Sequence, residues 1–547
     1  MKQALPGGRW LWLLLTLWSV RADAQSPNDE KFLSMLGELR EATYSDKASI
    51  VDRLSESDHR SLRPVLTAFL EGRLYFRNDD QQIFITKTAE GDPLDLINPL
   101  TLKDAGTAPA ANLTVIGTNN SLRRTLRTTV ARFGLSNPNA GVRLEAVREM
   151  LRSLDDETTA MLRQRSGVET DPGVKKEIAT ALALSDLGGS DTNTRLSAIA
   201  VLSKSISQDV RNRLALLIEK TPEGNLAESD EKVRQAAAAA VKSIDSSRTF
   251  YSAIETLFFG LSLGSVLVLI AIGLAITFGV VGVINMAHGE LMMLGAYTTY
   301  AVQTAMPGHI GISILVAIPA AFVVAGLTGV LMERTVIRFL YGRSLETLLA
   351  TFGVSLILQQ GVRSIFSALN RSVVTPEWMS GSLRVNDALA ITYNRLYIVI
   401  FTLIVFGLSM LVMKRTRIGL DIRAVSQNRA MAKAMGIRTE WVDAMTFGLG
   451  SGVAGVAGVA LSQLTNVGPN LGQSYIIDSF MVVVFGGVGN LWGALIGGMS
   501  MGVVNKLLEP YAGAVLAKIF ILIALILFIQ ARPRGLFPPA GRAAEDK

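Results

Sequence analysis

The chain has 547 residues, 49% hydrophobic and 18% charged, with a formal net charge of +7 and no cysteine. That length allows two or three domains. The missing thiols exclude disulfides, zinc–thiolate sites and a cysteine nucleophile. The basic excess gathers in a few loops between apolar runs and carries no nucleic-acid motif, so nucleic acid is not an expected partner.

Residues 1–24 read as a secretory signal peptide. Lys2 and Arg9 precede an apolar run, Trp10 to Val20, that is short of the roughly 20 residues a bilayer crossing needs. Ala22-Asp23-Ala24 then supplies small residues for cleavage. Arg21 fits this reading badly, and an uncleaved anchor is the alternative. Either way the segment that follows is expected to be exported.

Residues 25–247 read as an exported, mainly α-helical domain. Phe32, Met35, Leu36 and Leu39 share one helical face, and Ile50, Leu54, Leu62, Leu66 and Leu70 point to two more short helices. Leu74-Tyr75-Phe76 and Gln82-Ile83-Phe84-Ile85 flank Asn78-Asp79-Asp80 as a hairpin would. The Pro-, Gly-, Asn- and Thr-rich stretch from Asp92 to Asn120 is expected to be loop, and His59 between Asp58 and Arg60 to be solvated. A loose repeat follows: Val142-Arg143-Leu144-Glu145 is echoed from Val174, Thr194 and Val233. Its pattern fits the second helices of HEAT-like repeats, or a plain bundle of Ala-rich helices.

Residues 248–547 form a transmembrane domain. Apolar spans lie at about 252–275, 286–305, 310–331, 345–366, 395–413, 443–462 and 513–530. A glycine-broken stretch at 475–505 reads as two short passes or as one re-entrant hairpin. The fold class is thus an all-α polytopic membrane protein of about eight to nine transmembrane helices, some of them broken. Placing Arg334, Arg338, Arg343, Arg532 and Arg534 inside puts the loops at 306–309 and 367–394 outside.

Two stretches are candidates for a solute path. In Asn285-Met286-Ala287-His288-Gly289-Glu290 the polar groups Asn285, His288 and Glu290 stand between almost wholly apolar flanks, where such residues are costly. Gly279, Gly282 and Gly289 would let the helix unwind. The competing reading is a membrane-surface turn with Asn285 as a cap. His288 and Glu290 do not make a metal site, because no third ligand lies near. The second stretch is Phe485-Gly486-Gly487-Val488-Gly489-Asn490, in which Gly486, Gly487 and Asn490 would break a helix beside the path. Small residues four apart (Gly489, Gly493 and Gly497; Gly498 and Gly502; Gly448 and Gly452; Ser451 and Gly455) point to close helix packing. Asp478 is expected to mark the outer interface.

The loop from Lys414 to Arg438 carries seven basic residues against one acid, Asp421, so it belongs on the cytoplasmic side. Within it an amphipathic helix is expected, with Ala424, Asn428, Met431, Ala432 and Met435 along one stripe and Arg423, Gln427, Arg429 and Lys433 elsewhere. Gly419 would open it and Gly436 end it. The loop is a docking surface for another protein or a topology determinant lying along the headgroups. No Walker A loop, dinucleotide fingerprint, GxSxG elbow or HExxH helix occurs, and no cofactor is expected. The chain is not expected to be an enzyme, and any transport it performs must draw on an ion gradient or on another subunit.

The membrane half resembles the inner-membrane permeases of the branched-chain amino acid family of ABC importers. The resemblance is carried by Gly260-Leu261-Ser262-Leu263-Gly264-Ser265, Gly279 to Glu290, Thr416-Arg417-Ile418-Gly419 through Asn428 to Gly436-Ile437, Phe485 to Asn490, and Arg532-Pro533-Arg534-Gly535-Leu536-Phe537. The exported segment, with Phe69-Leu70-Glu71-Gly72-Arg73-Leu74-Tyr75-Phe76, looks like the extension of the urea-type branch. The resemblance implies a multi-pass inner-membrane subunit importing urea or a similar amide, with a branched-chain amino acid as the alternative cargo. It also implies three partners: cytoplasmic ATPase subunits docked on the 414–438 loop at Arg417, Gly419, Arg423, Ala424, Asn428, Met431, Ala432, Met435 and Gly436, a second similar permease, and a periplasmic solute-binding protein. An ion-coupled secondary transporter would show more paired intramembrane charges, and a membrane-anchored sensor would need fewer passes.

Overall fold

A computed structural model describes residues 27–537, apart from Asp58, Glu90, 152–153 and 221–226. The expected signal peptide lies outside the described residues. The chain divides into two compact units, Met1–Asp245 and Ser246–Lys547.

In the first unit, helices α1 (Pro27–Glu38), α2 (Tyr44–Ser55) and α3 (Leu62–Leu70) bury the faces expected from their spacing. Phe32, Leu36, Leu39, Ile50, Leu54, Leu66 and Phe69 form one core. Strands β1 (Leu74–Arg77) and β2 (Ile83–Thr86) make the expected hairpin, with Leu74 opposite Ile85. The loop expected at 92–120 instead contains β3 (Leu94–Ile97), β4 (Asp104–Ala108) and β5 (Leu113–Val115). These complete an antiparallel sheet in the order β4-β3-β2-β1-β5. The strands are three to five residues long, and β4 reads Asp-Ala-Gly-Thr-Ala, too polar and too short to show period-two alternation.

His59 corrects the expectation of a solvated side chain. It is buried, stacked on Phe32 at 4.1 Å between ring centroids. Its Nδ1 accepts the Ser61 N–H, which leaves Nε2 as the donor to Asp29 at 3.0 Å.

Helices α4 (Asn120–Gly134), α5 (Ala140–Met150), α6 (Asp156–Val168), α7 (Pro172–Asp186), α8 (Thr192–Leu202) and α9 (Gln208–Leu216) follow. The repeated motif takes up the same place in each copy, the first turn after a side-chain cap. Asn139, Asp171, Asp191 and Asp230 accept backbone N–H groups three residues before Val142, Val174, Thr194 and Val233. Between copies, Glu169 is buried and accepts from two of the guanidinium nitrogens of Arg143, Nε and Nη2, at 2.9 and 2.8 Å. Arg165 and the N–H groups of Thr170 and Asp171 bind it too. The Arg143 guanidinium, aided by the other donors, holds the Glu169 carboxyl down at about 2.

The boundary between the units falls inside the 51-residue helix α10 (Glu231–Val281). After it come α11 (His288–Ala305), α12 (Ile310–Thr335), α13 (Ser344–Phe366), a hairpin of β6 (Ser382–Asn386) and β7 (Leu389–Thr392), and α14 (Tyr393–Arg415). Next come the short α15 (Arg417–Gln427) and α16 (Arg429–Ala434), then α17 (Thr439–Ser462), α18 (Leu471–Gly486) and α19 (Leu491–Ala531). Among the described residues six helices are long and apolar enough to cross a membrane, fewer than the eight or nine expected. The shortfall has three sources. α11 has 18 residues and carries His, Glu and Gln. α18 has only 16 residues. α19 counts once, although Gly513 breaks it with φ 78°.

The spacing of small residues does what packing requires. A Cβ on Gly502 would lie 2.4 Å from the Gly264 Cα, and one on Gly455 would lie 2.5 Å from the Ala321 carbonyl oxygen. Such contacts let α19 lie against α10 and α17 against α12. Val266 to Ile276 of α10 lie in the centre with Met292 and Ala296 of α11 and Val456 of α17. Large apolar side chains such as Leu327, Leu349 and Leu408 point outward, where lipid would cover them.

Candidate functional site

The break between α10 and α11 is real and begins at Gly282, whose φ of 69° a side chain would resist. Asn285 closes the turn by accepting the Ala287 N–H at 3.0 Å. The three polar residues expected to share one path then part. His288 is buried against α10, with Nε2 3.1 Å from the Ile270 carbonyl oxygen. That oxygen can only accept, so Nε2 bears the proton. Glu290 faces α13 instead. Its Oε1 receives Ser355 Oγ at 3.2 Å and Gln359 Nε2 at 2.8 Å. Its Oε2 is buried with no partner among the described residues. Thr351 Oγ1 accepts the Met286 N–H at 3.1 Å.

Sequence reading missed the α13 side of this arrangement. Thr347, Thr351, Ser355 and Gln359 are all buried. They recur every fourth residue, so they form one polar seam along a membrane-crossing helix. The i, i+4 spacing of polar residues in an apolar run was the available signal.

The turn at Gly486, Gly487 and Asn490 is mainly a backbone device. Gly487 and Gly489 have φ of 101° and 78°. Asn490 caps α19 by accepting the Trp492 and Gly493 N–H groups at 3.0 and 3.3 Å. The Phe485 and Gly486 carbonyls accept the Leu536 and Phe537 N–H groups, so the Arg532–Phe537 stretch folds over the turn. A Cβ on Gly279 would come 2.4 Å from the Gly489 Cα, which brings the two helix breaks side by side. Asp478 lies mid-way along α18, paired with Lys518 of α19 at 2.8 Å.

The basic loop folds as two helices where one was expected. Asn428 ends α15 and caps α16 through its Oδ1, which accepts the Met431 N–H at 2.9 Å. Gly436, with φ 88°, ends α16: the Ile437 N–H reaches the Ala432 carbonyl and the Gly436 N–H that of Lys433, a Schellman motif. Gly419 is required by proximity, since a Cβ there would lie 2.4 Å from the carbonyl oxygens of Val412 and Met413. The expected single stripe is divided between two faces. Ala432 is buried and Ala424 half-buried with Ile422, Val425 and Val442, while Leu420, Met431 and Met435 are 59, 60 and 77% exposed. Arg417 and Arg423 are exposed.

Arg429 reaches back from this loop into the helices. Its guanidinium pairs with both oxygens of Asp443 on α17, one at 3.2 Å. It also lies over the Tyr341 ring at 5.0 Å. The Tyr341 hydroxyl donates to Glu333 of α12 at 3.0 Å. Asp443 and Glu333 are both buried. Among the described residues no group of three His, Asp or Glu side chains could hold a metal ion.

Comparison with known proteins places this unit. Residues 256–529 match the family of the branched-chain amino acid transport system permease component. The permease protein BraD of the high-affinity branched-chain amino acid transport system of Pseudomonas aeruginosa is 31% identical over 308 residues, which are 54% of this chain and 98% of that protein. The corresponding LivH of Escherichia coli is 32% identical over 312 residues, 55% of this chain and 99% of that protein. The ribose import permease RbsC of Escherichia coli is more distant, 26% identical over 293 residues, 50% of this chain and 85% of that protein. No solved structure matches significantly. The matched region takes in both helix breaks, the polar seam and the basic helix pair, and the chain belongs to the family of branched-chain amino acid transport system permease components.

Proposed function

We propose that this chain is the membrane-embedded permease subunit of an importer powered by ATP hydrolysis on separate cytoplasmic subunits. The observation that carries the reading is the helix pair α15–α16. Leu420, Met431 and Met435 stand exposed among Arg417, Arg423, Arg429 and Lys433, a mixture that a docked protein covers better than lipid or water does. A second permease and an external solute-binding protein complete the assembly. The second half of α10, α11 to α14, α17, α18 and the two halves of α19 serve as about nine crossings, with the first unit, a HEAT-like helical array, on the periplasmic side.

The names of the relatives support a branched-chain amino acid as the cargo. Urea is the second reading. One observation favours it: the relatives are matched nearly in full by about half of this chain, and the added first unit carries the Phe69–Phe76 stretch similar to that of the urea-type branch. Uptake of labelled leucine and labelled urea by cells with and without the chain decides between them. The cargo is the solute whose uptake falls at least tenfold on deletion. Met431→Asp combined with Met435→Asp should abolish both uptake and copurification of the ATPase subunits. Undiminished copurification would refute the docking surface.

A further inference from the structure

We infer that the polar seam of α13, with Glu290 of α11, is the part of the permease that receives the N–H groups of the cargo. The inference rests on the permease reading above and adds the residues that recognise the solute.

Helix α13 is built the wrong way round for packing alone. Leu345, Leu349, Phe352 and Ile357 are exposed, while Thr347, Thr351, Ser355 and Gln359 are buried. In a membrane, close helix contact is served by small residues, Ser and Thr among them, so the members that call for a further use are Gln359 and the ionisable Glu290 it meets. Two members of the seam have local tasks. Thr347 Oγ1 donates to the Arg343 carbonyl at 2.7 Å, and Thr351 Oγ1 holds the Met286 N–H. The other two converge on Glu290, where Ser355 Oγ and Gln359 Nε2 both donate to a single oxygen, Oε1, and Gln359 Nε2 donates to Ser355 Oγ as well. The second oxygen, Oε2, is equally buried and has no donor among the described residues. A buried carboxylate oxygen left without a donor is expensive. Water or an N–H donor of the cargo would satisfy it, and the cargo is the donor we infer. Both cargo readings offer the shared chemistry, as an ammonium or as a carboxamide N–H.

The chain has no cysteine, so a single introduced thiol on it reports unambiguously. In the assembled importer turning over ATP, Ser355→Cys and Gln359→Cys should react with a water-soluble methanethiosulfonate at least ten times faster than Leu356→Cys on the outward face. Labelling of the two seam positions no faster than at Leu356→Cys overturns the inference, whatever the cargo. The second arm measures uptake with assembly checked by copurification. Glu290→Leu should raise the apparent KM of the transported solute at least tenfold. If that variant does not assemble, Gln359→Leu, which removes one donor to Glu290, takes its place. Glu290→Gln keeps an acceptor and drops the charge, so it should raise the KM for leucine at least tenfold and for urea less than threefold. An unchanged KM in the assembled Glu290→Leu or Gln359→Leu importer overturns the role of Glu290. If the parent chain imports neither solute, the cargo reading falls and the labelling result alone decides the seam.

Discussion

Arg429 and Asp443 form a pair whose members stand in unequal environments. The Asp443 side chain is fully buried, whereas that of Arg429 is 44% exposed. Removing the guanidinium strands a carboxylate that is buried inside the helices near Glu333. Removing the carboxylate leaves a guanidinium that can hydrate. Breaking a buried pair costs about 3–5 kcal/mol. Arg429→Ala should therefore lower thermal stability more than Asp443→Ala, and the double variant should recover much of the loss. Equal destabilisation by the two single changes would show that the pair is not the buried anchor described here. Glu169 makes a similar case in the first unit, with the sign set by its carboxyl being held down at about 2 from an ordinary 4.5. The stability it contributes is complete above about pH 4.5 and is lost as the pH falls towards 2. Hydrogen exchange of residues 137–172, taken relative to the intrinsic amide rate at each pH, should accelerate over that window in the parent chain. In Glu169→Gln it should already be at least tenfold faster at pH 7 and should respond little to acid.

At the scale of elements, the basic loop shows what periodicity can and cannot reveal. Its charge, its length and the terminal glycine were legible. Only Asn428, read as one member of a stripe, concealed that the loop is two helices. Asn is permitted at both roles, and its side-chain cap to Met431 is a matter of geometry, not of spacing. The division matters because α15 tucks Ile422 and Val425 inward while α16 presents Met431 and Met435 outward. The polar seam of α13 escaped notice for a different reason. Its partners, Glu290 and the Met286 N–H, lie about 65 residues away in sequence, and four polar side chains on one helix acquire meaning only when their facing helix is known. The strands β3 to β5 were lost to brevity. Gly436 supplies the element-scale prediction. Nothing crowds a Cβ there, so Gly436→Ala is penalised by its φ of 88° alone, at about 1 kcal/mol. It should loosen α16 and weaken copurification of ATPase subunits several-fold. Gly436→Asn should do less harm, because Asn tolerates that conformation. Identical behaviour of the two variants would mean that the left-handed residue is not what holds α16 in place.

The molecule as a whole joins a family permease to a unit that its amino acid-transporting relatives manage without. BraD and LivH are covered over 98 and 99% of their lengths by 54 and 55% of this chain, and the family match begins only at residue 256. Each unit also has buried cores of its own, among them one from Phe32 to Leu126 in the first and one from Val266 to Leu525 in the second. The residues singled out for transport, Glu290, Ser355 and Gln359 in the seam and Arg429 with Asp443 at the basic loop, all lie in the second unit. Their interactions are made within that unit, through α10, α11, α12, α13 and α17. It follows that the second unit should fold and carry solute without the first. A chain lacking residues 27–245 but keeping residues 1–26 should assemble with its partner subunits and import within about threefold of the parent rate at saturating solute, since no hydrogen-bonding group of the seam is removed. If the shortened chain assembles yet loses more than tenfold of its uptake at saturation, the first unit takes part in translocation itself. If only the apparent KM rises, the first unit serves capture of the solute ahead of the membrane step, and the seam keeps its role.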